Sequence, residues 1–179
     1  MLASASGGAA FSPCGRYRWW AERRFDGAAL EPGARLLFIG LNPSTAGADR
    51  DDPTLRRLQA FARSWGFGAL EVVNLFARIS ASPAVLRRLE EPVGLENDRW
   101  IAQRLELCDA VWLGWGNGGL WRDRHRHVLQ LIPALVAVKP VGCIGLTAAG
   151  QPRHPLYAPA ATAWRPWAQL ANLSHPVAG

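Results

Sequence analysis

Four polar residues stand where apolar runs of this chain come to an end: Asn42 in G-L-N-P-S, Asn74 in V-V-N-L-F, Asn117 in W-G-N-G-G and His154 in P-R-H-P-L-Y. Asn42 precedes Pro43, whose ring fixes the local backbone. A side-chain amide on so stiff a turn holds a water or a substrate atom in fixed geometry, or else bonds its own loop as an Asx turn. Both readings stand. Asn74 sits inside an apolar segment, and a buried amide without partners costs about 1–3 kcal/mol. It therefore ties two loops together or faces a ligand. His154 lies between Pro152 and Pro155 beside Arg153, in a conformationally restricted loop, which favours a functional role over a structural one. His125 and His127 are two residues apart, a spacing that points them to different helix faces, so a solvated helix surface is expected there and not a metal site. The run Gly116-Asn117-Gly118-Gly119 lacks a Walker lysine and dinucleotide spacing, so it makes a weak phosphate cradle.

Aromatic residues are numerous, with 9 Trp, 6 Phe and 2 Tyr. Trp65, Trp100, Trp112 and Trp167 read as core. Trp115 at a strand end and Tyr157 beside the histidine loop are better placed to stack on a base, a contact worth roughly 1–3 kcal/mol.

The elements that must position these groups follow from patterning. Arg35–Gly40 is a continuous apolar run closed by glycine, as in a parallel strand buried on both faces. Leu70–Phe76, Ala110–Trp115 and Pro140–Leu146 are predicted as further strands. Asp52-Pro53-Thr54 marks a helix start, with Asp as N-cap and Pro in the first turn. That helix carries Leu55, Leu58, Phe61 and Ala62 on one face and ends near Gly66. Leu95–Leu107 and Leu120–Leu131 are predicted helices. Glu31-Pro32-Gly33 is a predicted turn, and Arg16–Phe25 an arm or short helix laid on the domain.

Strands alternating with helices imply right-handed βαβ units. The expected fold is an α/β three-layer sandwich around a central, mainly parallel four-stranded sheet, with residues 1–15 flexible and 16–179 forming a single α/β domain. In such sheets ligands bind beyond the carboxyl ends of the strands. The polar residues named above all sit there.

Composition narrows the functional class. At 179 residues the chain suits one domain. No stretch of about 18 apolar residues occurs, so no membrane span is expected. The N-terminal residues lack a basic leader followed by an apolar run, so a secretory signal is not expected either. Cys14, Cys108 and Cys143 are odd in number and widely spaced, which suits reduced core thiols in a cytoplasmic protein. The net charge is +6, and Lys139 is the only lysine, so the positive charge is almost entirely arginine. Arginine forks match phosphate oxygens, which makes DNA a reasonable partner. An arginine-rich genome composition would give the same count. No cofactor, metal or obligate protein partner is expected.

In order along the chain, F-S-P-C-G-R-Y-R-W-W, I-G-L-N-P-S-T-A, D-D-P-T-L-R-R, V-V-N-L-F-A, G-L-E-N-D, W-G-N-G-G and G-Q-P-R-H-P-L-Y resemble DUF1643, a family of small bacterial proteins of unassigned function. More distantly, G-L-N-P, an Asn ending strand two and a late H-P loop resemble the uracil-DNA glycosylase superfamily. That second resemblance implies a uracil-DNA-glycosylase-like fold and a DNA-repair hydrolase. It assigns Asn42 to positioning the hydrolytic water, Asn74 to reading the flipped base and His154 to stabilising the departing base. Ser44, Phe76, Arg78, Trp115, Asn117, Arg153 and Tyr157 are then expected around the substrate. The chain departs from the pattern in having Asn at 42 where the fastest enzymes have Asp, Ser44 after Pro43, and Leu156 where H-P-S would continue. The implied function is hydrolysis of the N-glycosidic bond of a damaged, mispaired or modified base in DNA. The alternatives are a non-catalytic nucleic-acid or nucleotide-binding module on the same fold, and a small nucleoside or nucleotide hydrolase.

Overall fold

The computed structural model describes residues 6–25, 34–44, 51–132 and 139–167. Within them the chain forms an α/β structure around a mixed seven-stranded sheet of order β1-β2-β4-β3-β5-β6-β7. The strands are β1 (Ser6–Phe11), β2 (Arg18–Arg24), β3 (Arg35–Gly40), β4 (Ala69–Asn74), β5 (Ala110–Leu113), β6 (Val141–Cys143) and β7 (Arg165–Pro166). The four expected strands form its parallel centre, β4-β3-β5-β6. The expected count of four strands is corrected to seven, because antiparallel strands extend both edges.

Two of the added strands come from segments expected to behave otherwise. Arg16–Phe25 is not a helix, since most of it is β2, hydrogen-bonded to β4 with Ala21 opposite Val72. The residues expected to be flexible, 1–15, contain β1, which pairs along β2. The predicted Glu31–Gly33 turn lies outside the described residues.

Both faces of the sheet are covered. Leu36 and Phe38 pack with Leu70, Val72 and Trp112 under α1 (Pro53–Ser64), which contributes Leu55, Leu58, Phe61 and Ala62. Leu37, Ile39, Val73 and Val111 face the opposite side, toward α3 (Asn97–Leu107) and α4 (Arg124–Leu129). The short α2 (Pro83–Leu86) joins β4 to α3. Burial on both faces is the reason β3 is apolar at successive positions. Each such side chain contributes about 1.5–3 kcal/mol relative to an exposed one. Glu71 is the exception, a fully buried carboxylate in β4. It accepts a hydrogen bond from the Trp20 indole at 2.8 Å and pairs with Arg35 and Arg104 at 3.5 and 3.6 Å.

The α1 start matches expectation: Asp52 caps the helix by accepting the Leu55 N–H, and Pro53 opens the first turn. The helix predicted over Leu120–Leu131 is corrected to a 3₁₀ segment, Gly116–Asp123, followed by α4. Left-handed backbone at Arg122 and Asp123, φ 56° and 51°, breaks the path between them. That break turns His125 inward. It is buried, with Nδ1 bonded to the Gly119 carbonyl at 2.9 Å, where a solvated position was expected. No described helix is long and apolar enough to cross a membrane.

Candidate functional site

The connections from β3 and β4 leave on opposite faces of the sheet, through α1 and α3 respectively. This divergence opens a crevice beyond the carboxyl ends of the central strands. A cleft of about 560 Å³ occupies it, within the size range of small-molecule sites. Asn42, Ser44, Asn74, Trp115, His154 and Tyr157 line this cleft together. The remaining expected residues fall elsewhere.

Asn42 bonds its own loop and the neighbouring one. Its Nδ2 donates to the carbonyls of Pro43 at 3.0 Å and Ser80 at 3.2 Å, tying the loop after β3 to the loop after β4. With the amide nitrogen committed to two acceptors, Oδ1 remains an acceptor with no hydrogen bond among the described residues, on a residue that borders the cleft. A water held there would donate to Oδ1 and present its lone pairs outward.

Asn74 ends β4 and is 5% exposed. Its side-chain amide makes no hydrogen bond among the described residues and borders the cleft. The neighbouring strand leaves room for it at Gly40, where a Cβ would lie 2.8 Å from Asn74 Oδ1. Alanine at position 40 would displace the amide.

His154 caps a short 3₁₀ turn, Pro155–Tyr157, its Nδ1 accepting the Leu156 N–H at 3.3 Å. The neutral ring then carries its proton on Nε2, free to donate. Desolvation by the cleft walls holds the His154 pKa below the usual histidine value, partly offset by the Asp52 carboxylate. The residue is nonetheless exposed. It is a neutral donor near pH 7.

Several expectations are corrected. Phe76 is fully buried and packs against Trp121, ring centroids 4.9 Å apart, on the α3 side of the sheet. The strand ends at Asn74, so the alternation that would have kept Phe76 with Asn74 is lost. Arg78 lies over the Tyr17 ring at 5.2 Å, holding the loop to the start of β2, outside the cleft. Asn117 and Arg153 line an adjoining cavity that shares His154 and Tyr157 with the first. There Asn117 accepts from the Thr147 hydroxyl at 2.6 Å and Arg153 Nε donates to the Leu146 carbonyl at 2.8 Å. Trp115 is 1% exposed, with its indole N–H given to Gln151 at 2.9 Å and its ring against Trp167. It is a fixed wall and not an open stacking platform. Tyr157, 91% exposed at the rim, has the free ring. Cys14 is exposed, whereas Cys108 and Cys143 are the buried thiols that were expected.

Three charged residues of the cleft, Arg18, Asp52 and Arg87, escaped sequence reasoning. Asp52 reads as a helix cap, and it is one. Its carboxylate also borders the cleft and accepts from the Ser44 hydroxyl. Arg18 reads as part of a basic arm, and nothing local signals its destination. It reaches the cleft because β2 runs antiparallel to β4, so the beginning of β2 lies at the carboxyl edge of the parallel strands. A bulge then sets its face. The β1–β2 register slips at Ala10/Phe11, which are opposite Trp20 and Arg18, leaving Trp19 unpaired. That extra residue turns Arg18 onto the Ala21 and Val72 side, a common use of bulges beside sites.

No group of three or more metal-ligating side chains occurs among the described residues. Among curated proteins, none matches the chain. A family model described as a protein of unknown function matches residues 16–156, a span that holds every residue of the cleft except Tyr157. The chain belongs to that family, DUF1643.

Proposed function

We propose that this protein hydrolyses the N-glycosidic bond of a damaged, mispaired or modified base in DNA, on a uracil-DNA-glycosylase-like fold. The observation that carries the proposal is the meeting of Asn42, Asn74 and His154 in one cleft at the carboxyl ends of the parallel strands. Bond cleavage places positive charge on the sugar and the bonding electron pair on the base. Asn42 Oδ1 orients a water toward the sugar carbon. Asn74, its amide unpartnered and buried, hydrogen-bonds the base edge. His154 donates from Nε2 to the departing base, where a positioned donor counts most. Asn42 does not accept a proton at neutral pH, so the water's proton leaves to solvent late in the reaction. The forgone general-base assistance is on the order of 10²–10⁴-fold in rate. Duplex DNA requires extrusion of the base, at a few kcal/mol, least for a damaged or mispaired one.

One observation favours a second reading, a module that binds a nucleotide or nucleic acid without cutting. Asn42 has a complete structural occupation in joining two loops. The two readings separate in one assay. Enzyme in excess is incubated with duplex and single-stranded DNA containing uracil, hypoxanthine, mismatched thymine or modified cytosines, and abasic sites are revealed by alkali. An abasic product from at least one substrate, lost in Asn42→Ala, supports the hydrolase. Retention of DNA on the protein with no abasic product from any substrate supports the module.

A further inference from the structure

We propose that the cleft holds an anion subsite built on Arg18, and that its ligand carries a carboxylate or phosphate there. This rests on the cleft being the ligand site and adds the chemical class of what enters it.

Three arginines are buried among the described residues, and two have obvious reasons to be so. Arg23 pairs with Asp51 at 2.9 Å. Arg124 pairs with Asp98 and donates to the Leu75 carbonyl at 2.7 Å. Arg18 is 9% exposed and has no carboxylate within ion-pair distance among the described residues. Its Nε is buried without a hydrogen-bond partner. Burying an unpaired guanidinium is costly, and such groups ordinarily find a counter-charge. The nearby carboxylate, Asp52, attracts Arg18 but makes no ion pair with it, and accepts instead from the Leu55 N–H and the Ser44 hydroxyl.

The surroundings of Arg18 suit an incoming oxyanion. Asn74, also buried and unpartnered, borders the same cleft. Thr54 and Leu55, in the first turn of the twelve-residue α1, border it too, so the positive end of that helix faces the ligand space. Arg87 adds a second cation, and Asp52 is the only carboxylate among the described residues of the lining, so the positive charge among them is in excess. The planar arginine fork fits two oxygens of one carboxylate or phosphate, a geometry that an ammonium group does not offer. The oxyanion belongs either to an acidic substituent on a base or to a nucleotide phosphate.

Calorimetric titration of the full chain distinguishes these sources and tests the subsite. The probes are the four deoxynucleoside 5′-monophosphates against their deoxynucleosides, and 5-carboxycytosine against cytosine. At least one anionic probe is expected to bind tenfold or more tighter than its neutral counterpart. Arg18→Gln should bring that pair within twofold, chiefly by weakening the anionic probe. Arg18→Lys, which keeps charge and loses the fork, should retain part of the preference and provides the comparison if the Gln variant does not fold. Preference for a monophosphate identifies the phosphate, and preference for the carboxylated base identifies the base substituent. Equal binding within every pair, no binding of any probe, or a preference untouched in both variants overturns the subsite. The abasic-site assay is scored separately, so an anion preference without base release removes the hydrolase and leaves the subsite standing.

Discussion

Asn97, at the start of α3, donates both hydrogens of its amide to main-chain carbonyls at the end of β4, those of Asn74 and Leu75, at 3.0 Å each. Asn97 is fully buried. Beside it, Arg124 donates to the same Leu75 carbonyl and is anchored by Asp98. Burial alone would raise the Asp98 carboxyl, but the Arg124 hydrogen bond and charge, with His127, hold it below the usual carboxylate range. The G-L-E-N-D segment therefore holds the backbone of Asn74 from the far face of the sheet while its side chain points into the cleft.

Asn97→Ala should remove the Asn97 donor from the Asn74 carbonyl, while the Leu75 carbonyl keeps that of Arg124. The expected loss is about 1–3 kcal/mol for the one group left without it. Urea unfolding should show a lower midpoint with an unchanged slope, since the unfolded state is not altered. A change under 0.5 kcal/mol, the ordinary range for surface substitutions, would mean that Asn97 does not hold the strand end.

The parallel centre of the sheet was legible because its strands are buried on both faces and read as unbroken apolar runs. So were Asn42, Asn74 and His154, because the carboxyl ends of such strands are where polar residues carry information. Strands β1 and β2 were not. Arg-Tyr-Arg-Trp-Trp-Ala-Glu-Arg-Arg mixes charges whose partners, such as Asp51 for Arg23, are remote in sequence. No local pattern distinguishes an exposed arginine there from a buried one. Arg18 was hidden further by the bulge at Trp19, which changes faces without leaving a glycine or proline as a marker. The two-residue spacing does send His125 and His127 to different faces of α4, but it does not tell which face is buried: His125 faces the core and His127 the solvent.

Cys14 should behave as a reactive thiolate. The Arg16 hydrogen bond, then that of Ser12, lowers its pKa to about 6. Burial pushes Cys108 up to about 11 and raises Cys143 as well. Iodoacetamide labelling followed by peptide mass spectrometry should modify Cys14 first, with a rate that rises through about pH 6 and levels off near neutrality. Arg16→Ala should move that rise to higher pH. Labelling of all three cysteines at similar rates in the folded protein would contradict the assignment.

Substitutions at the two cleft asparagines should have different signatures. Asn42→Ala removes both the water acceptor and the tie to the Ser80 carbonyl, so turnover should fall more than DNA binding. Asn74→Ala should change which base is accepted, since a site built to hydrogen-bond one base leaves groups unpaired with another. The measurement is single-turnover base release set beside DNA affinity for both variants. Equal losses in rate and affinity at Asn42, with no change of base preference at Asn74, would assign both residues to structure alone.

Protonation of His154 should weaken the fold at mildly acidic pH. Its pKa is lowered in the folded protein from an ordinary value of 6.5, chiefly by desolvation. The unfolded chain then binds the proton first as pH falls, so stability from this residue declines below about 6.5 until the folded form also titrates. Above that value its contribution is constant. The structural cause is visible at Nδ1, which accepts the Leu156 N–H. A proton there sets two donors against each other and loosens the Pro155–Tyr157 turn. Urea unfolding of the wild type and His154→Gln across pH 5 to 8 isolates the effect, because the variant lacks the titrating ring. The stability difference between the two should be flat from 7 to 8 and should move against the wild type below 6.5. A difference that stays constant across the whole range would mean that the cleft does not desolvate the His154 ring.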